Sequence, residues 1–274
     1  MSIKTLKFSH YRAADNGTIL RISGLLRLSV AAMFFAGAVL ASAQPALAND
    51  DGPASYADER YYDPFEPVNR TVFKFNQIID ELFLKPAAHL YVAVVPDRGR
   101  AAVSNVIENL KSPVYLVNDI LQGETERAQI TISRFTTNTI LGFGGMVDVA
   151  ADLGAETHSE DFGQTLATYG AGKGPYIMLP FLGPSTVRGT IGKVVDSFFD
   201  PLGYALETEE ALIRAGIEGL DKRARFLDVS EAMEKTSIDY YASIRSVFLQ
   251  NREYEIRNGA PEPITDIYGG DSGN

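Results

Sequence analysis

Residues 162–187, FGQTLATYGAGKGPYIMLPFLGPSTV, constrain this chain more than any other stretch. They carry one charge, Lys173, yet five glycines and three prolines interrupt them. A solvent loop would be more polar. A membrane-spanning helix needs about 20 continuous apolar residues without Gly-Pro punctuation. Apolar but irregular backbone is tolerated only where protein covers its polar groups: in a core, around a cavity, or at a membrane surface. This makes lipid a candidate ligand. A shorter companion, Phe135 to Val147, is also uncharged and glycine-interrupted.

The N-terminus points to export. Lys4, Lys7, Arg12, Arg21 and Arg27 form a basic region, and the apolar run LLRLSVAAMFFAGAVLASA follows. Ala46-Leu47-Ala48 then matches a small-residue cleavage site, so residues 1–48 read as a cleaved signal peptide, with Ala41-Ser42-Ala43 as a second possible site. Residues 1–48 hold five of the 25 basic side chains and one of the 35 acidic ones, which leaves 20 and 34, a net charge of −14. Such a surface repels nucleic acid and offers no polybasic anchor for anionic lipid. Any membrane affinity must then be hydrophobic. The chain has no cysteine and no tryptophan. That removes disulfides, thiolate metal sites and cysteine-linked lipid, and leaves Tyr and Phe to build any interfacial belt.

Residues 49–62 and 257–274 read as an acidic flexible leader and a disordered tail around a folded region at 63–256. Helical periodicity dominates that region. Asn69 is a plausible N-cap for a helix ended by Lys85-Pro86, with Val72, Phe75, Ile79 and Leu82 on one face. Asp97 can cap the next, in which Val103, Val106, Ile107 and Leu110 line one face. Ser112 with Pro113 starts another, closed by Gly123. Ala128, Ile132 and Phe135 share a face of a fourth helix. Further helices are expected at 188–199, 209–226 (with a Glu218–Lys222 pair) and 237–256, with a short extended piece near Tyr176–Leu179. The fold class is all-α, with seven or eight helices.

No catalytic constellation emerges. Gly183-Pro184-Ser185-Thr186 lacks the nucleophile-elbow spacing around Ser185. His89 sits in an apolar run and reads as packed or capping. His158, in His158-Ser159-Glu160-Asp161, has no second imidazole nearby to share a metal. Gly142, Gly144 and Gly145 follow a helix rather than a strand, so they are not a dinucleotide loop. Lys173 is a weak candidate for contacting a phosphate head group. No enzyme, cofactor or metal site is expected.

Asp63 to Asn76 (DPFEPVNRTVFKFN) resembles the opening motif of the MlaA (VacJ) family of outer-membrane phospholipid transport proteins. The likeness continues through Arg134–Ala150 and Phe162–Gly183, then Arg223–Asp228 and the helix to Tyr254. Asp63, Pro64, Glu66, Asn69, Arg70, Phe73 and Asn76 match the first motif. Asn138, Gly142, Gly144, Gly145 and Asp148 match the second. Gly163, Tyr169, Gly170, Gly172, Gly174, Pro175, Tyr176, Leu179, Pro180 and Gly183 match the third.

The resemblance implies a helical, ring- or disc-like domain in the periplasmic leaflet of the outer membrane. Its amphipathic channel would return mislocalised phospholipid from the outer leaflet to a soluble periplasmic lipid carrier, preserving lipid asymmetry. It also implies association with a trimeric outer-membrane porin. Phe143, Met146, Val147, Tyr169, Tyr176, Leu179 and Phe181 are the candidates for channel or membrane surface. Well-known members are lipoproteins, and this chain departs from them in lacking the cysteine. Two competing readings are a porin-associated structural or chaperone-like factor without a lipid conduit, and a periplasmic lipid hydrolase.

Overall fold

A computed structural model describes residues 63–260. The expectations for 1–62 and 261–274 lie outside the described residues. Helices dominate, joined by one two-stranded hairpin, as an all-α class requires.

Helix α1 (Glu66–Ile79) starts with Glu66 in its first turn and Pro67 at its second position. Asn69 is not its cap: it lies inside the helix and is buried. Nor does Lys85-Pro86 end the segment. Residues Asp80–Leu84 form a π-helical turn in which the Lys85 N–H reaches the Asp80 carbonyl, and α2 (Lys85–Val94) follows directly. The extra residue in that turn shifts the hydrogen-bond register just where Pro86 has no N–H to give.

Helix α3 runs unbroken over Asp97–Gln122, with Pro96 rather than Asp97 as N-cap and with Pro113 inside it, so Ser112 starts no new helix. Pro113 leaves the Asn109 carbonyl without its helical donor. Asn109 itself lines a polar cavity. Gly123, in the left-handed region at φ 78°, stops α3 as expected. Helix α4 (Thr125–Ile140) leads into a tight coil, then α5 (Val149–Asp152), capped by the Asp148 side chain, and α6 (Phe162–Thr168), capped by Asp161.

Strand β1 (Tyr176–Leu179) falls where an extended piece was expected. It pairs antiparallel with β2 (Gly183–Thr186), in register Tyr176↔Thr186 to Leu179↔Gly183. β2, with sequence GPST, carries no strand signal of its own. Helices α7 (Val187–Phe199), α8 (Leu202–Ala205) and α9 (Thr208–Arg225) follow, then α10 (Leu227–Thr236) and α11 (Tyr240–Ile256). Helix α10 has no boundary signal in the sequence, because only Phe226 separates it from α9 and no Gly or Pro marks the break. Glu218 pairs with Arg214 at 2.8 Å rather than with Lys222.

The apolar core is small. Tyr176, Met178, Tyr241 and Leu249 cluster with Val72, Phe73 and Phe248, joining α1, the hairpin and α11. Edge-to-face ring pairs link Phe73 to Tyr241 (5.5 Å) and Tyr176 to Tyr241 (6.1 Å). The Arg70 guanidinium lies 4.5 Å over the Tyr241 ring and pairs with Asp239, which caps α11.

Candidate functional site

The polarity of this protein runs opposite to that of an ordinary globular domain. Among the described residues, buried polar side chains outnumber buried apolar ones, fourteen to nine. Large apolar side chains stand outside instead: Val68, Ile78 and Leu82 on the α1 side, Ile132 and Ile140 on α4, Ile191 and Phe198 on α7, and Leu212 and Ile213 on α9. Isolated exposed leucines are ordinary, but so many large ones mark contact with something apolar. No described helix is long and apolar enough to cross a membrane.

The inward faces are stripes of polar residues. On α3 the stripe is Ser104, Asn105, Glu108, Asn109, Ser112 and Tyr115; on α4 it is Thr131, Arg134 and Asn138. With Asp148, Thr157, His158 and Arg225 they line a cavity of about 230 Å³. A second cavity of about 410 Å³ shares Glu108, Tyr115, Thr157, His158 and Arg225 with the first and adds Lys111, Ser159, Lys222 and Phe226. Of the face that Ala128, Ile132 and Phe135 share on α4, only Ala128 is buried; Ile132 and Phe135 are exposed, while the polar Thr131 and Asn138 are buried. On α3, Ile107 is buried, but so are Asn109, Ser112, Asn118 and Asp119.

Hydrogen bonds fix the cavity wall. Arg134 pairs with Asp148 at 2.7 Å and donates to the Ala155 carbonyl. Asn138 donates to Asp148 at 2.8 Å and accepts from the Ala150 N–H at 2.9 Å. Burial pushes the Asp148 carboxyl up, but donors from Arg134, Asn138 and the Ala151 N–H together hold it below its ordinary value. Tyr115 donates to Glu108 at 2.7 Å, and burial with that carboxylate pushes the phenol far up. His158 lies 3.2 Å from the fully buried Asp119, which also accepts from Thr131 at 2.6 Å.

The motif residues divide into three groups. Asn69 and Asn76, two helical turns apart, hold the hairpin by its backbone. Asn69 donates to the Tyr176 carbonyl (3.0 Å) and accepts from the Met178 N–H (2.9 Å); Asn76 does the same with Leu179 (2.9 Å) and Phe181 (2.9 Å). Asp63 accepts from Asn69, Tyr241 and Arg245. Asn138 and Asp148 belong to the cavity wall. The glycines shape turns and close approaches: at Gly163 a Cβ would lie 2.7 Å from Arg252 Nη2 and 3.2 Å from the Gly189 Cα.

The apolar candidates separate cleanly. Phe143, Met146, Val147, Tyr169 and Phe181 are exposed, and Leu179 is half-buried. Tyr176 is only 1% exposed and belongs to the core, so it is not on a membrane surface. Phe181 sits in the left-handed region at φ 63° at the hairpin tip, stacked edge-on against Phe75 at 5.3 Å. Gly170, Gly172, Gly174 and Pro175 form the approach to β1, and Pro180 and Gly183 flank its tip. Lys173 lies 3.8 Å from Glu253. His89 pairs with Glu231 at 2.9 Å, and Ser185 is fully buried against Thr190. Among the described residues no group of three or more His, Cys, Asp or Glu could hold a metal.

Asp196 carries a pH signature. It accepts from Asn118 (2.9 Å) and the Phe162 N–H (3.1 Å), yet burial raises it to about 6. The folded state therefore holds this proton more tightly than the unfolded chain. Its contribution to stability is full below about pH 4 and fades as pH rises through about 6. Asp196→Asn should flatten that part of the melting temperature's pH dependence; an unchanged slope between about pH 4 and 6.5 rules the assignment out.

The family model for MlaA lipoprotein matches residues 61–255. The intermembrane phospholipid transport system lipoprotein MlaA of Escherichia coli is 35% identical over 205 residues, covering 73% of this chain and 81% of that one. An uncharacterised protein of Rickettsia bellii is 35% identical and covers 72% and 77%. A structure solved to give the structural basis for maintenance of bacterial outer membrane lipid asymmetry superposes with a TM-score of 0.65 at 35% identity. The match covers 71% of this chain and 99% of that one.

Proposed function

The chain belongs to the MlaA family, and on that premise we propose that it takes mislocalised phospholipid from the outer leaflet of the outer membrane and hands it on for inward transport, preserving lipid asymmetry. The observation that carries this reading is the inverted polarity: large apolar side chains outside and linked polar cavities inside. Lipid transfer changes no covalent bond, so polar groups that shelter a head group, with an apolar exterior among lipid tails, suffice for it.

The protein sits in the periplasmic leaflet, held by its rim, beside a trimeric porin and within reach of a soluble lipid carrier. The relatives are named lipoproteins, whereas none of these 274 residues is a cysteine that could carry a lipid. Burying Phe143, Leu141, Phe181 and Leu182 at about 1.5–3 kcal/mol each is enough for stable seating.

Deleting the gene should raise the phospholipid that an externally added phospholipase can reach on whole cells. No rise would sink the transport reading. Met146→Asp should block lipid flow while porin association persists; loss of porin association with lipid flow intact would instead favour a purely structural role.

A further inference from the structure

Resting on the transport reading, we propose that the two cavities form one head-group site with a direction. Its outer part takes the phosphate, and its inner part takes a primary ammonium, so the preferred cargo is a phosphoethanolamine-type, zwitterionic lipid. The outer cavity gathers Lys111 and Lys222 in a chain of net charge −10, while Arg225, on the wall shared with the inner cavity, is paired with Asp221 at 3.0 Å. Lys222 forms no ion pair among the described residues, and Lys111 bridges loosely to Glu108 (3.7 Å) and Glu218 (4.0 Å). Cations with spare donors are what a phosphodiester recruits.

The inner cavity offers the reverse. Its one cation outside the shared wall, Arg134, is committed to Asp148 and the Ala155 carbonyl. Asn109 is nine-tenths buried, and with its Nδ2 on Thr139 (2.9 Å) its Oδ1 is left without a partner. A buried acceptor left unpaired is costly, and a bound donor relieves that cost. Glu108 adjoins Asn109 and lines both cavities, with only the distant Lys111 against its charge. An ammonium between Glu108 and Asn109 would satisfy both groups, while a glycerol head group would leave the carboxylate with only Tyr115 (2.7 Å) and the distant Lys111.

The test is native mass spectrometry of the full chain, extracted into detergent doped with equal phosphatidylethanolamine and phosphatidylglycerol of identical acyl chains. The wild type should retain the ethanolamine lipid about tenfold over the glycerol lipid, the difference between a charge-assisted and a neutral contact. Glu108→Gln keeps an acceptor for Tyr115 and should bring the ratio close to even. Lys222→Ala, an exposed position, should lower retention of both lipids without changing the ratio. Equal retention by the wild type, or a ratio unmoved by Glu108→Gln, overturns the head-group assignment and leaves the transport reading standing. Retention of neither lipid overturns both.

Discussion

Replacing Asn69 by alanine should cost about 2–5 kcal/mol of unfolding free energy, because it strands two buried backbone groups at once. The Asn69 side chain pairs with the Tyr176 carbonyl and the Met178 N–H as a neighbouring strand would, and its own Nδ2 also reaches Asp63. Water cannot replace it, since Asn69 is 2% exposed and Tyr176 and Met178 are core residues. Asn69→Asp should not rescue: a carboxylate can accept from Met178 but would face the Tyr176 carbonyl and Asp63. Asn76→Ala removes the same pair of bonds at a wetter place, with Phe181 exposed, and should cost only about 0.5–1.5 kcal/mol. Its effect is local, read as faster amide exchange at Phe181. Denaturant unfolding of the full chain measures the first effect, and a loss below about 1 kcal/mol for Asn69→Ala would refute the strand-like role.

These two asparagines also show what could be read in advance. The motif residues were visible, but a polar residue near a helix start reads most simply as a cap, and only the distant hairpin explains it otherwise. The helices themselves were legible because apolar residues recur with a 3.6-residue period. That period identifies a face and does not say which face points inward. On α4 the apolar face, with Ile132 and Phe135, looks outward, and Thr131 and Asn138 look in. The missed signal was present: Ser104, Asn105, Glu108, Asn109 and Ser112 repeat as regularly as the valines beside them. Pro86 and Pro113 misled for a different reason. A π turn at Asp80–Leu84 absorbs the first, and α3 runs on through the second, with no sequence signal announcing either.

The coil after α4 joins the apolar exterior to the cavity wall, and its glycines should fail in different ways. At Gly142 an added Cβ would lie 2.2 Å from the Val147 carbonyl oxygen and 2.5 Å from that of Asn138, both backbone atoms that cannot swing aside. Gly142→Ala should therefore cost about 3 kcal/mol or more, the upper end of overpacking. It should also disturb the site, since Asn138 holds Asp148 and the Ala150 N–H. Gly144, two residues on, has open space around it and a φ of 72°. Gly144→Ala pays only the left-handed backbone penalty, about 1 kcal/mol, and leaves the wall in place. At Gly145 a Cβ would press on Asn109 Cβ at 2.7 Å, and Asn109 lines the inner cavity. A coil that leaves Phe143, Met146 and Val147 exposed thus also packs against Asn138 and Asn109 of the cavity wall. Equal melting temperatures for Gly142→Ala and Gly144→Ala would break that connection, whereas a large drop in the first alone supports it.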